Sequence, residues 1–221
     1  MRTIRPCGGK SPPPITKGGK HNTKVPVSSI APGKAVLYRG EPCIVLERRK
    51  EGTLLMAVEH IEHAFGSSNN FAASSLRAHL NGAYLDALTE SHPDEIITRT
   101  VDLTALNGSK EYGTCEAKVA PLTLDELRKY HGILPKPKVW EWSATPWSTP
   151  KVDEDDTFVA WGLVSDGYLG SLSCSYTYGS RPAFLIPSTL TVEVDGDEAT
   201  NPLEAYDTKE LVQELYRRVN A

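Results

Sequence analysis

Glu59, His60, Ile61, Glu62 and His63 put four ligand-capable side chains into five residues, and the chemistry they suggest is divalent-metal binding. The spacing is not the H-E-x-x-H of a helix-borne zinc site, and on a strand two histidines three apart point to opposite faces. A solvated strand end or turn is the stronger reading. The acidic run Asp153, Glu154, Asp155 and Asp156 raises calcium, yet it lacks the glycine and spaced oxygens of an EF-hand and reads as a solvated loop. There is no G-x-S-x-G, P-loop or dinucleotide fingerprint, and no pair of carboxylates stands out for glycoside cleavage.

The richer material is aromatic. All four tryptophans fall between Trp140 and Pro187, and Tyr168, Tyr176 and Tyr178 alternate there with Ser171, Ser173 and Ser175. Tyr with Ser is the composition of adaptable recognition surfaces, rigid amphipathic area beside small hydrogen-bonding groups. Trp147, Tyr168, Tyr176 and Tyr178 are the expected ligand-binding residues, while Trp140, Trp142 and Trp161 are expected to fill the core. Arg181, just before Pro182, is expected to anchor the fold as a bidentate partner for a buried carboxylate or for loop carbonyls. No catalytic residue, metal or cofactor is expected.

The elements that must position these residues begin with Ala35 to Arg39, Pro42 to Arg48 and Thr53 to Glu59, three β runs that read as an antiparallel meander. From Ser74 the period changes: Leu76, Leu80, Tyr84 and Leu88 share one helical face behind a Ser cap, with Gly82 as a weak point. Ile96 to Leu103 is strand or loop. Thr123 and Glu126 form a capping box, which predicts a helix over Leu124 to His131, stopping at Gly132 or before Pro135. Phe158 to Val164 and Tyr168 to Leu172 flank Asp166 and Gly167 and read as a hairpin. Ala183 to Ile186 and Leu190 to Val194 are further strands, and Asp207 with Glu210 caps a last amphipathic helix bearing Leu211, Val212, Leu215 and Val219.

Length allows one domain with appendages. Of the 24 Lys and Arg, eight lie in the first 40 residues, where there is no acid, leaving 16 basic against all 28 acidic residues. The expected organisation is a flexible basic arm over 1–28, a body over 29–196, and a linker with the C-terminal helix over 197–221. Gly and Pro dilute the arm's charges and no aromatics interleave with them, so docking on an acidic neighbouring subunit is favoured over nucleic acid. Cys7, Cys43, Cys115 and Cys174 show no C-x-x-C pair and are expected as reduced thiols. With no apolar leader and no 18-residue apolar run, a soluble protein made in the cytoplasm, without membrane contact, is expected.

Taken in order, Phe71 with SSLRAHLN (Ser74 to Asn81), VAPLTLDELRKY (Val119 to Tyr130), WEWSATP (Trp140 to Pro146), FVAWGLVSDG (Phe158 to Gly167) and GSRPAFLI (Gly179 to Ile186) resemble a family of uncharacterised bacterial and phage proteins, domain of unknown function family 6273. The likeness spans about residues 35–194, with His79 and Phe71 standing where the family pattern has other aromatics. The closing G-S-R-P strand is also similar to the ending of C-type-lectin-like folds, which include formylglycine-generating enzymes and phage proteins that bind hosts. The resemblance implies an α+β, C-type-lectin-like fold: a small twisted antiparallel sheet, short helices and long irregular loops. It implies a non-enzymatic recognition or assembly module, foremost a phage virion structural protein on capsid or tail. Its arm would attach to other virion subunits, its loops would face a host glycan, and it would form a homo-oligomer. The alternatives are a metal-dependent, oxidase-like relative of the formylglycine-generating enzymes and a bacterial ligand-binding module. The oxidase reading needs two thiolates on copper; Gly179 stands where the partner of Cys174 would be, so Cys115 or Cys43 would have to supply it.

Overall fold

The computed structural model describes residues 22–152, 159–163 and 169–195. In chain order the strands β1 (Asn22–Pro26), β2 (Ala35–Tyr38), β3 (Glu41–Arg48), β4 (Thr53–Ala57) and β5 (Ile61–Ala64) precede the first helices, α1 (Ser75–His79) and α2 (Leu85–Thr89). Then come β6 (Arg99–Asp102), β7 (Thr114–Ala117), β8 (Val119–Ala120) and α3 (Leu124–Tyr130). The remainder is strand: β9 (Glu141–Pro146), β10 (Val159–Leu163), β11 (Leu169–Ser173), β12 (Thr177–Ser180), β13 (Ala183–Ile186) and β14 (Thr191–Asp195).

These strands form a seven-stranded sheet in the order β1-β14-β2-β3-β4-β13-β8, a five-stranded sheet in the order β11-β10-β9-β12-β5, and the β6-β7 ribbon. Pairing is antiparallel except between β9 and β12, which meet in parallel where Gly179 faces Glu141. Sheets of this kind with short helices and no closed barrel make an α+β architecture.

The central strands of the large sheet are continuous apolar runs because both of their faces are covered. In β4, Leu55 sits in the main core while Leu54 and Met56 sit in a second cluster on the opposite face. The same alternation splits β13 into Phe184 and Ile186 on one side and Ala183 and Leu185 on the other. The register of β3 on β4 shifts between Val45 and Glu47, so Leu46 is the extra residue of a bulge. α3 lies over the second cluster through Leu127 and Tyr130. Thr123 caps it by accepting from the Glu126 amide while the Glu126 carboxylate accepts from the Thr123 amide, as the capping box predicts.

Ser74 caps α1, and Leu76, Leu80, Leu85 and Leu88 reach the main core. The expected weak point at Gly82 is a π-helical turn over Leu80–Tyr84 that joins α1 to α2 without a break. Ile96 to Leu103 resolves into β6 and its flanks, paired with β7. The 158–172 hairpin pairs Val159 with Ser173 through Leu163 with Leu169, while its turn lies outside the described residues.

One boundary needs correction. Residues 22–26, expected within the flexible arm, are β1, paired with β14 from Asn22–Asp195 to Pro26–Thr191. Val25 packs on the core and Val27 is fully buried. Two apolar residues and a strand edge to pair with are enough to order a segment that composition alone leaves loose. The arm before Asn22 and the C-terminal helix lie outside the described residues. Among the described residues no helix is long and apolar enough to cross a membrane.

Candidate functional site

Tyr176 and Tyr178 flank Thr177 where β12 begins, so they share a face of the strand. Their rings end a chain of aromatic contacts that runs outward from the core. Phe71 lies 6.3 Å from Phe65, Phe65 5.5 Å from Trp142, Trp142 5.1 Å from Tyr178, and Tyr178 6.4 Å from Tyr176. The two outermost contacts are edge-on, at 78° and 79°, the arrangement the ring quadrupole favours. Phe65 and Phe71 are fully buried and Trp142 is 2% exposed, Tyr178 is half-buried, and Tyr176 is 62% exposed. The Trp142 indole N–H donates to the His63 carbonyl at 2.8 Å, which fixes its ring plane. The result is a flat, solvent-facing aromatic backed by rigid packing. Ser173 and Ser175 beside it exchange a hydroxyl hydrogen bond at 3.0 Å.

β5 contributes a second pair of rings. His63 is the register partner of Tyr178, and cross-strand partners present their side chains to the same face. His63 Nδ1 donates to the Ala64 carbonyl at 2.6 Å, and its ring stacks on His79 of α1, centroids 4.7 Å apart and planes 21° apart. Burial, and then the neighbouring His63, push the His79 pKa below the ordinary histidine value.

The strip is held from below by a buried ion pair. Arg181 donates from Nε and Nη2 to the two carboxylate oxygens of Glu141, both at 2.6 Å, and from Nη1 to the Pro135 carbonyl at 2.8 Å. It therefore meets both partners expected of it, a carboxylate and a loop carbonyl. His60 Nε2 lies 3.0 Å from Glu141 Oε2. Arg181 and Glu141 are each 4% exposed. Burial raises the Glu141 pKa, but the hydrogen bonds from His60 and Arg181 outweigh it and leave the carboxyl below its ordinary value. Gly179 is required here by space: a Cβ would come within 2.8 Å of Val139 Cγ2, 2.9 Å of His60 Cδ2 and 3.1 Å of the Trp140 carbonyl.

The E-H-I-E-H stretch is thus not a solvated strand end. His60 goes down to Glu141 and His63 goes across to His79, because residues three apart on extended chain diverge. Among the described residues no group of three His, Cys, Asp or Glu is placed to hold a metal ion. Cys174 is buried, and burial pushes its thiol up to about 12; burial also raises Cys43 and Cys115.

Of the expected binding residues, the structure brings Tyr176 and Tyr178 together. Trp147 is half-buried just beyond β9, roughly 16 Å along the chain from Trp142 at about 3.3 Å per residue. Its neighbours are Pro146, whose carbonyl accepts from the Leu106 amide, and Ser148, whose carbonyl accepts from Asn69. Tyr168, the acidic run 153–156 and the Trp161 side chain lie outside the described residues. Trp140 packs half-buried on the core that holds Trp142.

Sequence reasoning missed Glu141 and the His63–His79 stack. The signal for Glu141 was a lone acid between Trp140 and Trp142, where a buried carboxylate needs a cation. It also missed a cleft of about 440 Å³ between the β6–β7 ribbon and the start of α3, lined by Arg99, Thr100, Asp102, Thr123, Asp125 and Arg128. Within it Arg99 pairs with Glu126 at 2.8 Å and Arg128 with Asp125 at 2.6 Å, while Asp102 accepts from the Thr104 amide and hydroxyl.

Compared with protein-family models, curated proteins and solved structures, the chain gives no match. The functional argument therefore rests on residues and geometry.

Proposed function

We propose that this chain is a non-enzymatic recognition and assembly module of C-type-lectin-like type, serving as a phage virion structural protein on capsid or tail, with Tyr176 and Tyr178 facing a host glycan. The observation that carries the recognition role is Tyr176, a large ring left 62% exposed at the end of a stack whose other members are packed. A flat aromatic held rigid suits the apolar face of a sugar ring, because little side-chain entropy remains to be lost on binding. The adjacent serine hydroxyls supply the small polar groups that fix orientation. The virion setting is supported by the motif order from Phe71 to Ile186, and attachment to other virion subunits by the five basic residues and absence of acids in residues 1–21. A homo-oligomer belongs to the same reading.

The oxidase-like alternative has less support. Gly179 stands where its second thiol would be, so Cys115 or Cys43 would have to supply it, and both are buried thiols that burial raises above their ordinary value. Cys174 itself is a buried thiol held neutral at physiological pH. A bacterial ligand-binding module would use the same strip in another setting.

The test is binding of the full chain, and of Tyr176→Ala, to an array of bacterial envelope glycans and to whole cells. Saturable binding lost in Tyr176→Ala supports the reading. No binding by either protein, or equal binding by both, removes the glycan role from this strip.

A further inference from the structure

Among the described residues, the outer face of the seven-stranded sheet is covered over only half its width. α3, Ile133 and Leu134 seal Leu54, Met56, Ala183 and Leu185. Ile44 is the register partner of Met56, and Leu37 pairs with Pro42 on β3 and Glu193 on β14, so the same face continues outward as Ile44, Leu37 and Glu193. There the cover stops: Leu37 and Ile44 are part exposed, and Ala35 and Pro42 are exposed. Where this half meets the end of α3, it deepens into a groove of about 520 Å³ whose apolar lining includes Pro32, Leu46 and Ile133.

The last described strand ends beside this face. β14 runs parallel to β3 with β2 between them, and continuing the Glu193–Leu37 register sets Asp195 in the row of Ala35 and Ile44. β14 therefore ends pointing toward the Leu46 end of the sheet, about 10 Å from β3 at two strand spacings. The segment from Asp195 to Asp207 spans up to roughly 40 Å when extended, more than enough to return over the face. Beyond it the sequence places Leu211, Leu215 and Val219 on one side of an expected helix. Residues 196–221 carry six acids and three bases, and the groove presents Arg48, Lys129 and His131 against Glu47.

We propose that residues 207–219 dock as an amphipathic helix on this uncovered half-face of their own chain, laying Leu211, Leu215 and Val219 over Leu37, Ile44 and the groove. Docking within one chain is favoured over docking on a second copy because the short tether holds the helix at millimolar effective concentration. This inference does not depend on the recognition role proposed for Tyr176.

The test uses the full chain. In a thermal double-mutant cycle of Ile44→Ala and Leu215→Ala, each change lowers the midpoint by several degrees, and the pair lowers it by clearly less than the sum, equally at two protein concentrations tenfold apart. Leu215→Asp, which leaves the body untouched, speeds tryptic cleavage after Arg217 and Arg218 at least tenfold. Additive midpoints, or equal cleavage of wild type and Leu215→Asp, overturn the proposal. Coupling that appears only at the higher concentration also overturns it, by seating the helix on a second copy.

Discussion

Arg181 and Tyr176 flank the same four-residue strand, yet one is sunk in a buried ion pair and the other projects into solvent. The difference lies in what each side chain meets. Arg181 finds both oxygens of Glu141 and a carbonyl, so every step outward would leave a buried charge unpaired. Tyr176 meets the aromatic stack edge-on at Tyr178 and is 62% exposed, so losing it gives up one ring contact and no ion pair of the base. The strand is thus built as a buried base and an exposed tip, and a binding surface needs both.

The comparison breaks most visibly at the base. Arg181→Met strands Glu141 with His60 alone, and removing one partner of a buried pair costs about 3–5 kcal/mol. For a domain of this size that is a fall in thermal midpoint of roughly 10 °C, read by calorimetry. Gly179→Ala is expected to act in the same direction, since the new methyl displaces His60 from Glu141; a midpoint within a degree of wild type would show that His60 can move freely.

Next in size is acid. Glu47 is held at about 2 against an ordinary 4.5, because the bonds from Lys129, Tyr130 and Arg49 outweigh the opposing effect of its burial. A carboxyl depressed on folding stabilises the protein above its unfolded pKa and loses that contribution as pH falls through the folded value. Urea midpoints should therefore be level near neutrality and fall between about pH 4.5 and 2, less steeply in Glu47→Gln. His79 adds a smaller loss beginning near pH 6.5, since its depressed pKa means that the unfolded chain takes up the proton first. A profile unchanged in His79→Gln would remove that part.

Smaller again is the middle of the stack. Tyr178→Ala gives up half-buried area and two ring contacts, about 1–2 kcal/mol, and should also weaken binding by letting Tyr176 swing. It separates position from presence: Tyr178→Phe keeps the packing and should keep both stability and binding.

Much of the base was legible in the sequence. An Arg before Pro in an apolar run asks for a bidentate partner, and the Thr123 capping box and the Ala35–Glu59 meander follow from local chemistry. Glu141 as that partner was not legible, because forty residues separate it from Arg181 and only the parallel contact of β9 with β12 brings them together. For the same reason His60 read as part of a solvated strand end, when its partner Glu141 comes from another strand. At the tip, composition pointed to Tyr176 and Tyr178 but not to their unequal exposure, which depends on where the aromatic stack ends. β1 was read as loose arm because its order comes from β14, at the other end of the chain.

The most direct test of the account is Tyr176→Ala, measured for thermal midpoint and for binding to an envelope-glycan array in the same preparation. The account predicts a midpoint unchanged within about 0.5 kcal/mol of stability and loss of saturable binding. A large fall in the midpoint, or binding that survives intact, would contradict it.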